Sequence, residues 1–542
     1  MMNLRGTGST FLLVGMTLGF LSEGFLSAAE KAPSSGPAIL RMVVASEPPQ
    51  LNSLLATDQT SNFVLGHIGE GLTRIGARGQ IEPGVAESWK STPLRFTFRL
   101  RENARWNDGK RVTAPDFVHA WRAVVDPATQ STTAFLMAPL KNAEAISKKL
   151  LPPDSLGVRA LDERTLEVEL ERPCAYFLGL TAASTYFPIR EDALKKWGTR
   201  YGSDAELLIT NGPFTLTTWV HGASLALKKN PQYWNASQVR LDGIETAAIT
   251  TDLGAKFNFF KAGKTDLIEQ LGRENLPLAL REGFRMRAFN DGGIYFLQFN
   301  FREGRVTRNF HLRKAISLAL DLEAYVQRVN GIPGTPVAHG LVPSWVPGAS
   351  GQFREEFPRP APRQDLSEAK RHLELARAEL GGSIPTLHWL TTDSALAVRE
   401  AEHVQTVLDR ALGLKIRIDS QIFKQRLAKS KAGQFDLVSA TWGPDYLDPL
   451  TFVELLKSDH GANRGKYSSP AVDEALREAQ SETQAPRRMA ALARAEKLGL
   501  DDVAYIPTIE KNIIWVTRPE LKGVIRHQLS PDPDFSRARF EP

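Results

Sequence analysis

One cysteine, Cys174, stands among 542 residues. No internal disulfide can form, and zinc sites built on cysteine pairs are excluded. Charge of one sign is equally scarce. Lys and Arg number 67 against 61 Asp and Glu, a formal +6, with no basic stripe or tail of the kind nucleic-acid binders concentrate. After residue 30 no apolar run approaches the roughly 20 residues of a membrane helix. There is no G-x-S-x-G elbow, H-E-x-x-H pair, Walker A loop or dinucleotide-binding glycine fingerprint. The ten histidines are scattered, none spaced i,i+3 or i,i+4, so a helical metal site is not indicated. No cofactor is expected.

What remains is an ordinary globular balance, 42% hydrophobic and 24% charged, which excludes disordered and collagen-like chains. At roughly 100–200 residues per domain the length implies about two to four structural units. Arg5, the apolar run from Phe11 to Phe20 and the small residues Ser27-Ala28-Ala29 make residues 1–29 an expected signal peptide. The run is too short to span a bilayer comfortably, and no cysteine lies near the cut to carry a lipid anchor. The mature chain is therefore expected in a periplasm or the medium, at the same net charge, because the segment removes one Arg and one Glu.

Residues 30–38 read as a Pro/Ser/Gly linker and Ile39 to Val44 as a strand. Residues 95–100 and Thr165 to Leu170 alternate apolar and polar, as half-buried strands do. Thr113-Ala114-Pro115-Asp116 opens a helix: Thr113 can cap it, Pro115 suits the first turn and Asp116 complements the dipole. Leu312, Ala315, Ile316, Ala319, Val326 and Val329 share one helical face. So do Leu366, Ala369, Leu373, Ala376 and Leu380, with Ser367 or Asp365 as cap and Gly381 as stop. A third helix runs from Ala397 to Leu412 and ends at Gly413. Strands follow at Leu414–Asp419 and Phe435–Ser439. Helix-then-strand order at this spacing indicates α/β units around a mixed sheet.

The densest chemical signal is Thr441-Trp442-Gly443-Pro444-Asp445-Tyr446-Leu447-Asp448-Pro449. A strand that opens into aromatic, Gly, Pro and acidic residues is a typical place for a binding loop. Asp445 and Asp448 can be read as an acid/base pair for glycoside hydrolysis or as ligands for a hard cation. Alternatively, one Asp receives a ligand ammonium while Trp442 and Tyr446 wall the pocket. The bland reading is a turn in which an Asp caps backbone and Trp442 is core. Cys174 reads as a small buried residue. Trp89, Trp106, Trp121 and Trp234 read as packing residues, and Asp448 as a turn or helix cap.

Several stretches in collinear order resemble the solute-binding proteins of peptide ABC importers, the oligopeptide- and dipeptide-binding family. They are Ser46-Glu47-Pro48 with Leu51-Asn52, Gly69-Glu70-Gly71-Leu72, and Pro83-Gly84-Val85-Ala86-Glu87-Ser88-Trp89. Phe96 to Arg101 with Trp106-Asn107-Asp108-Gly109 follows, then Val112 to Trp121, Asn211-Gly212-Pro213-Phe214, and Lys229-Asn230-Pro231-Gln232-Tyr233-Trp234. Leu312 to Asp321 and the Trp442 to Pro449 segment complete the series. The resemblance covers roughly residues 40–530.

It implies a two-lobed, three-domain α/β fold of the periplasmic binding protein type (class II), with mixed sheets and a hinge between lobes that closes on ligand. It also implies domain limits. Residues 39–68, 205–292 and 506–542 would form domain I of the first lobe, 69–204 an extra domain II, and 293–505 the second lobe, domain III. By resemblance Asp445 pairs with the α-amine of a peptide, Trp442 lines the site, and Phe423 stands at an aromatic wall position. Tyr446 and Gly443 complete the expected ligand-binding set. An α-amine buried against a carboxylate requires the pair, and Asp445 is accordingly expected to titrate low.

The chain departs from the family pattern at Gly443, where enteric receptors have a disulfide-bonded Cys, and at Leu322, which replaces an Arg. Ser430 and Ser439 stand where basic residues would hold the ligand's C-terminus. The expected partners are short peptides and the permease of an inner-membrane ABC transporter, with the receptor a monomer, soluble in the periplasm and not an enzyme. A metal chelate, murein peptide or oligosaccharide is the alternative ligand, and an exported hydrolase using Asp445 and Asp448 the remote one.

Overall fold

The computed structural model describes residues 36–77, 79–529 and 531–541, and the expected signal peptide lies outside them. Among the described residues no helix is long and apolar enough to cross a membrane.

Three sheets of four or more strands organise the chain. The first has the order Ile39–Val44, Gly243–Ile249, Ser224–Lys229, Phe214–Val220. Its first pair is parallel and the others antiparallel. The second is wholly antiparallel: Ala86–Thr92, Arg95–Leu100, Thr165–Glu169, Val158–Asp162. Its alternating sequence works as read. Phe96, Phe98 and Leu100 point inward with Leu166 and Val168, and the Phe96 ring packs 4.9 Å from Phe177. Each such side chain taken from water contributes about 2 kcal/mol.

Helix Ala114–Val125 covers this sheet and begins where its sequence says. The Thr113 N–H donates to the Asp116 carboxylate at 2.8 Å, half of a capping box. Trp121 and Trp106 are fully buried, and the Trp121 indole N–H reaches the Tyr186 carbonyl at 2.9 Å. Trp234 also packs, but against charge: its ring lies 3.7 Å from the Arg101 guanidinium and its N–H donates to Glu70 at 2.9 Å.

The third sheet carries six strands: Leu267–Ile268, Tyr505–Thr517, Met286–Phe299, Leu437–Trp442, Leu387–Thr392 and Ile416–Gln421. Two of them are unusually long, Met286–Phe299 with 14 residues and Tyr505–Thr517 with 13. At one end these two take Leu267–Ile268 as neighbour, and at the other Leu437–Trp442. They are thus continuous ribbons joining two parts of the molecule. Their pairing is interrupted between Asn290 and Ile294, opposite Asn512 and Glu510. Gly292 sits in that interruption at φ +90, where a Cβ would lie 2.6 Å from the Gln528 Cβ, so glycine is required there on both counts.

Two helices of the second half match their sequence signals. Leu366–Glu379 is capped by Asp365, whose carboxylate accepts the Glu368 N–H at 2.9 Å. Ala395–Leu412 ends at Gly413 with φ +66, the left-handed stop glycine supplies. The face shared by Leu312 to Val329 is not one helix. Phe310–Ala319 stops, and Asp321 caps a new turn, Leu322–Tyr325, accepting the Ala324 N–H at 2.9 Å. A single π-turn, Val326–Asn330, follows. The Asp321 side chain competes for backbone N–H groups, as short acidic residues do. The two strands expected at 414–419 and 435–439 begin two residues later. Leu414 is still tied to the preceding helix through Leu408, and the carbonyl of Phe435 is held by Asn300 at 2.7 Å.

Candidate functional site

Strand Leu437–Trp442 delivers the Gly443–Pro449 loop to its position. One edge of the strand is fully paired, Leu297 to Ser439 and Ile294 to Trp442 among others. Along the other edge the parallel ladder to Leu387–Thr392 holds only Trp389↔Leu437 and Leu390↔Val438. Among the described residues no strand is registered there against Ser439 to Trp442. The strand therefore ends with an open row of backbone donors and acceptors, the arrangement that accepts an added strand.

At the end of this row Pro444 and Asp445 line a cavity of about 250 Å3. Its other walls come from distant parts of the chain: Asn62 and Gly66, Thr132, Thr133, Phe135 and Leu136, and Ala182 to Thr185. The Asp445 backbone N–H is fixed by the Thr451 hydroxyl at 3.2 Å, but its carboxylate makes no ion pair among the described residues. Burial alone pushes that carboxyl up to about 6. The expected low titration is thus reversed, because no cationic group of the described residues lies close enough to offset desolvation.

Asp448 points elsewhere. It is held by Arg488 through two bonds of 2.7 and 2.8 Å in a buried pair, and its carboxylate also accepts the Leu450 N–H at 3.0 Å. It closes a turn, one of the two roles read for it, and forms a buried ion pair that sequence spacing did not reveal. With Asp448 neutralised by Arg488, the hydrolase reading loses its second acid, and the hard-cation reading its second ligand. No group of three or more His, Cys, Asp or Glu suited to a metal occurs among the described residues.

Tyr446 does not wall the Asp445 cavity. Its ring stacks on Tyr176 with centroids 4.0 Å apart and planes 8° from parallel, and its hydroxyl donates to Glu454 at 2.9 Å. Glu454, half-buried, is pushed up to about 7 by desolvation. Tyr446 is therefore a support that locks the loop from behind. Trp442 is half-buried, its ring edge-on to His460 at 6.0 Å, and its indole N–H has no partner. Burial pushes His460 down to about 4, so that imidazole is neutral at neutral pH. Gly443 is exposed, and a Cβ on it would meet nothing within 4 Å. Cys174 is driven up to about 12 by burial, which makes it an inert thiol.

Phe423 stands apart from Asp445. It opens helix Phe423–Lys431, is 64% exposed, and lines a second cavity of about 180 Å3 with Arg426, Glu400 and residues Ser439 to Thr441. Arg426, Glu400, Glu454 and Tyr176 belong to none of the motifs in the sequence analysis. The i,i+3 spacing of Phe423 and Arg426 on one helix face was the clue available.

The sequence matches the model of bacterial extracellular solute-binding proteins, family 5 Middle, over residues 80–464. It is 32% identical to the oligopeptide-binding protein OppA of Bacillus subtilis over 95% of each chain. The chain belongs to the family 5 extracellular solute-binding proteins. Among solved structures, Listeria monocytogenes OppA bound to peptide superposes with a TM-score of 0.81 at 28% identity, covering 94% of this chain and 100% of that one. The structure described as the unliganded open form of the murein tripeptide-binding protein MppA, also 28% identical and covering 94% and 99%, gives 0.74. The family's two-lobed α/β fold is therefore the fold of this member.

Proposed function

We propose that this receptor captures short peptides between its lobes and delivers them to the permease of an inner-membrane ABC transporter. Asp445 receives the peptide α-ammonium. One observation carries the reading: a half-buried carboxylate without a counterion lies at the end of an unpaired strand edge and lines a cavity. A peptide supplies both missing partners at once, an ammonium for Asp445 and a backbone for the edge at Ala440 to Trp442. Burying the carboxylate unpaired is costly, and pairing it recovers that cost.

The finer assignments follow from this. Residues 1–29 export the chain, which works as a soluble periplasmic monomer without a lipid anchor and performs no catalysis. Domain I comprises 39–68, 205–292 and 506–542, domain II 69–204 and domain III 293–505. The first sheet falls within domain I and the second within domain II. The lobes pivot where the two long strands lose register beside Gly292. The relative named MppA binds murein peptide, which is the same chemistry, an amine and a backbone, with a different side-chain set.

Native mass spectrometry of the protein purified without refolding, followed by denaturation and identification of what it releases, tests the proposal. Released short peptides support it. A metal chelate or an oligosaccharide as the sole released ligand, with no shift on adding a tripeptide mixture, contradicts it.

A further inference from the structure

A further cavity, of about 410 Å3, shares no residue with the two at the open strand edge. Its walls are the helix Phe310–Ala319, the irregular segment 359–363, and the end of the helix Ala485–Asp501 with the strand start that follows it. Segment 359–363 is fixed at both ends. The His339 imidazole donates to the Arg359 carbonyl at 2.8 Å, and just past the other end the Asp365 N–H reaches the Leu318 carbonyl at 2.9 Å. Pro360 and Pro362 stiffen it further. The cavity is therefore pre-formed, and its volume falls within the roughly 300–1,000 Å3 of small-molecule sites.

Four cations line it, Lys314, Arg359, Arg363 and Lys497, against a single carboxylate, Asp501. That carboxylate is already taken: Arg359 holds it at 3.2 Å and Lys497 bonds it as well. Burial works to raise its titration, but Lys497 and Arg359 outweigh burial and keep it below the ordinary range. Lys314 and Arg363, by contrast, have no ion pair among the described residues, and Glu368, which feels the Lys314 charge, is itself bonded by Arg371. Four cations less one carboxylate leave three positive charges in excess. The floor between them is apolar, made by the buried Leu500, Val503 and Ile506. A cleft with one sign of charge over low-dielectric walls concentrates its field on a counter-ion.

We infer that this cavity binds an organic anion with an apolar tail or ring, its carboxylate or phosphate held by Lys314 and Arg363 and its apolar part laid on Leu500, Val503 and Ile506. The site is separate from the one proposed for peptides and does not depend on it. The tethered segment 359–363 closes one side, which admits a chain or a ring but not the face of a folded partner. A free amphiphile and an anionic phospholipid both present this chemistry.

Isothermal titration calorimetry with octyl phosphate, octanoate, octyl glucoside and octyltrimethylammonium tests it, on the wild-type protein with and without tri-alanine. Both anions should bind, octyl glucoside about tenfold or more weakly than octyl phosphate, and octyltrimethylammonium not at all. Tri-alanine should leave these affinities unchanged. Lys314→Gln combined with Arg363→Gln should weaken octyl phosphate about tenfold or more, whereas the charge-keeping pair Lys314→Arg with Arg363→Lys should retain most of the affinity. The comparison of head groups uses the unmodified protein, so it stands even where a variant fails to fold. Co-sedimentation with phosphatidylglycerol vesicles, lost in the glutamine pair, assigns the anion to lipid; octyl phosphate binding without co-sedimentation assigns it to a free amphiphile. Octyl glucoside matching octyl phosphate, anions displaced by tri-alanine, an unchanged glutamine pair, or no binding by either anion overturns the site. So does binding of an acidic peptide, acetyl-Glu-Leu-Glu amide, without binding of octyl phosphate, which would make the cavity a docking point for protein.

Discussion

Replacing Asp445 with Asn makes the ligand-free protein more stable and removes its ligand response. Burial holds the carboxyl at about 6 in the folded chain against an ordinary 3.8. At about 1.4 kcal/mol per unit, ionising it in place costs up to about 3 kcal/mol. Because the folded-state value is raised, its stabilising contribution is fully present below about pH 4 and is lost as pH rises through 6. Asparagine has the same shape and no ionisation to oppose. In urea or thermal unfolding followed by tryptophan fluorescence, Asp445→Asn should exceed wild type by about 1–3 kcal/mol at pH 8, and the gap should close towards pH 4. A tripeptide at about 100 times its Kd should then add about 2.7 kcal/mol to wild type and little to the variant, which closes or reverses the gap. Equal or lower stability of the variant at pH 8, or the same gain from ligand in both proteins, would refute the reasoning.

Affinity should itself carry an acid limb. With a free carboxyl near 6 that must be ionised to hold an ammonium, peptide binding at pH 5 should be about tenfold weaker than at pH 7, with proton release in calorimetry. Loss of the limb in Asp445→Asn checks its origin. Arg488→Met, which leaves Asp448 buried and unpaired, should cost about 3–5 kcal/mol in denaturation, and restoring apolar character on both sides with Asp448→Leu should recover part of it. Gly292→Val, which places a branched side chain at φ +90 against Gln528, should lower the melting temperature and change the ligand-induced compaction seen by small-angle scattering. An unchanged scattering response would mean that the strand interruption is not the pivot.

Local signals in the sequence were reliable where one residue type has one physical use. Thr113 with Asp116, Asp365 and Gly413 each mark a helix end because only short-range hydrogen bonds or a left-handed backbone are at stake. Asp321 was the same kind of signal, and the apolar face from Leu312 to Val329 masked it. At the site, Asp445 was legible from its motif, whereas its neighbours' roles were decided by partners far along the chain. Tyr446 turned from the cavity because Tyr176 stacks on it, and Asp448 because Arg488 lies against it. Lys314 and Arg363 were invisible for the opposite reason. What distinguishes them is a missing partner, and absence of a contact is a property of three-dimensional packing alone.

The central claim is that Asp445 grips a peptide's free amine, and calorimetry of one tripeptide against its N-acetyl form on the wild-type protein at pH 7 tests it most directly. The account predicts that acetylation, which removes the charge and leaves Asp445 desolvated and unpaired in the complex, costs about 2–5 kcal/mol, a loss of about thirtyfold or more. Equal affinity of the two forms would contradict it.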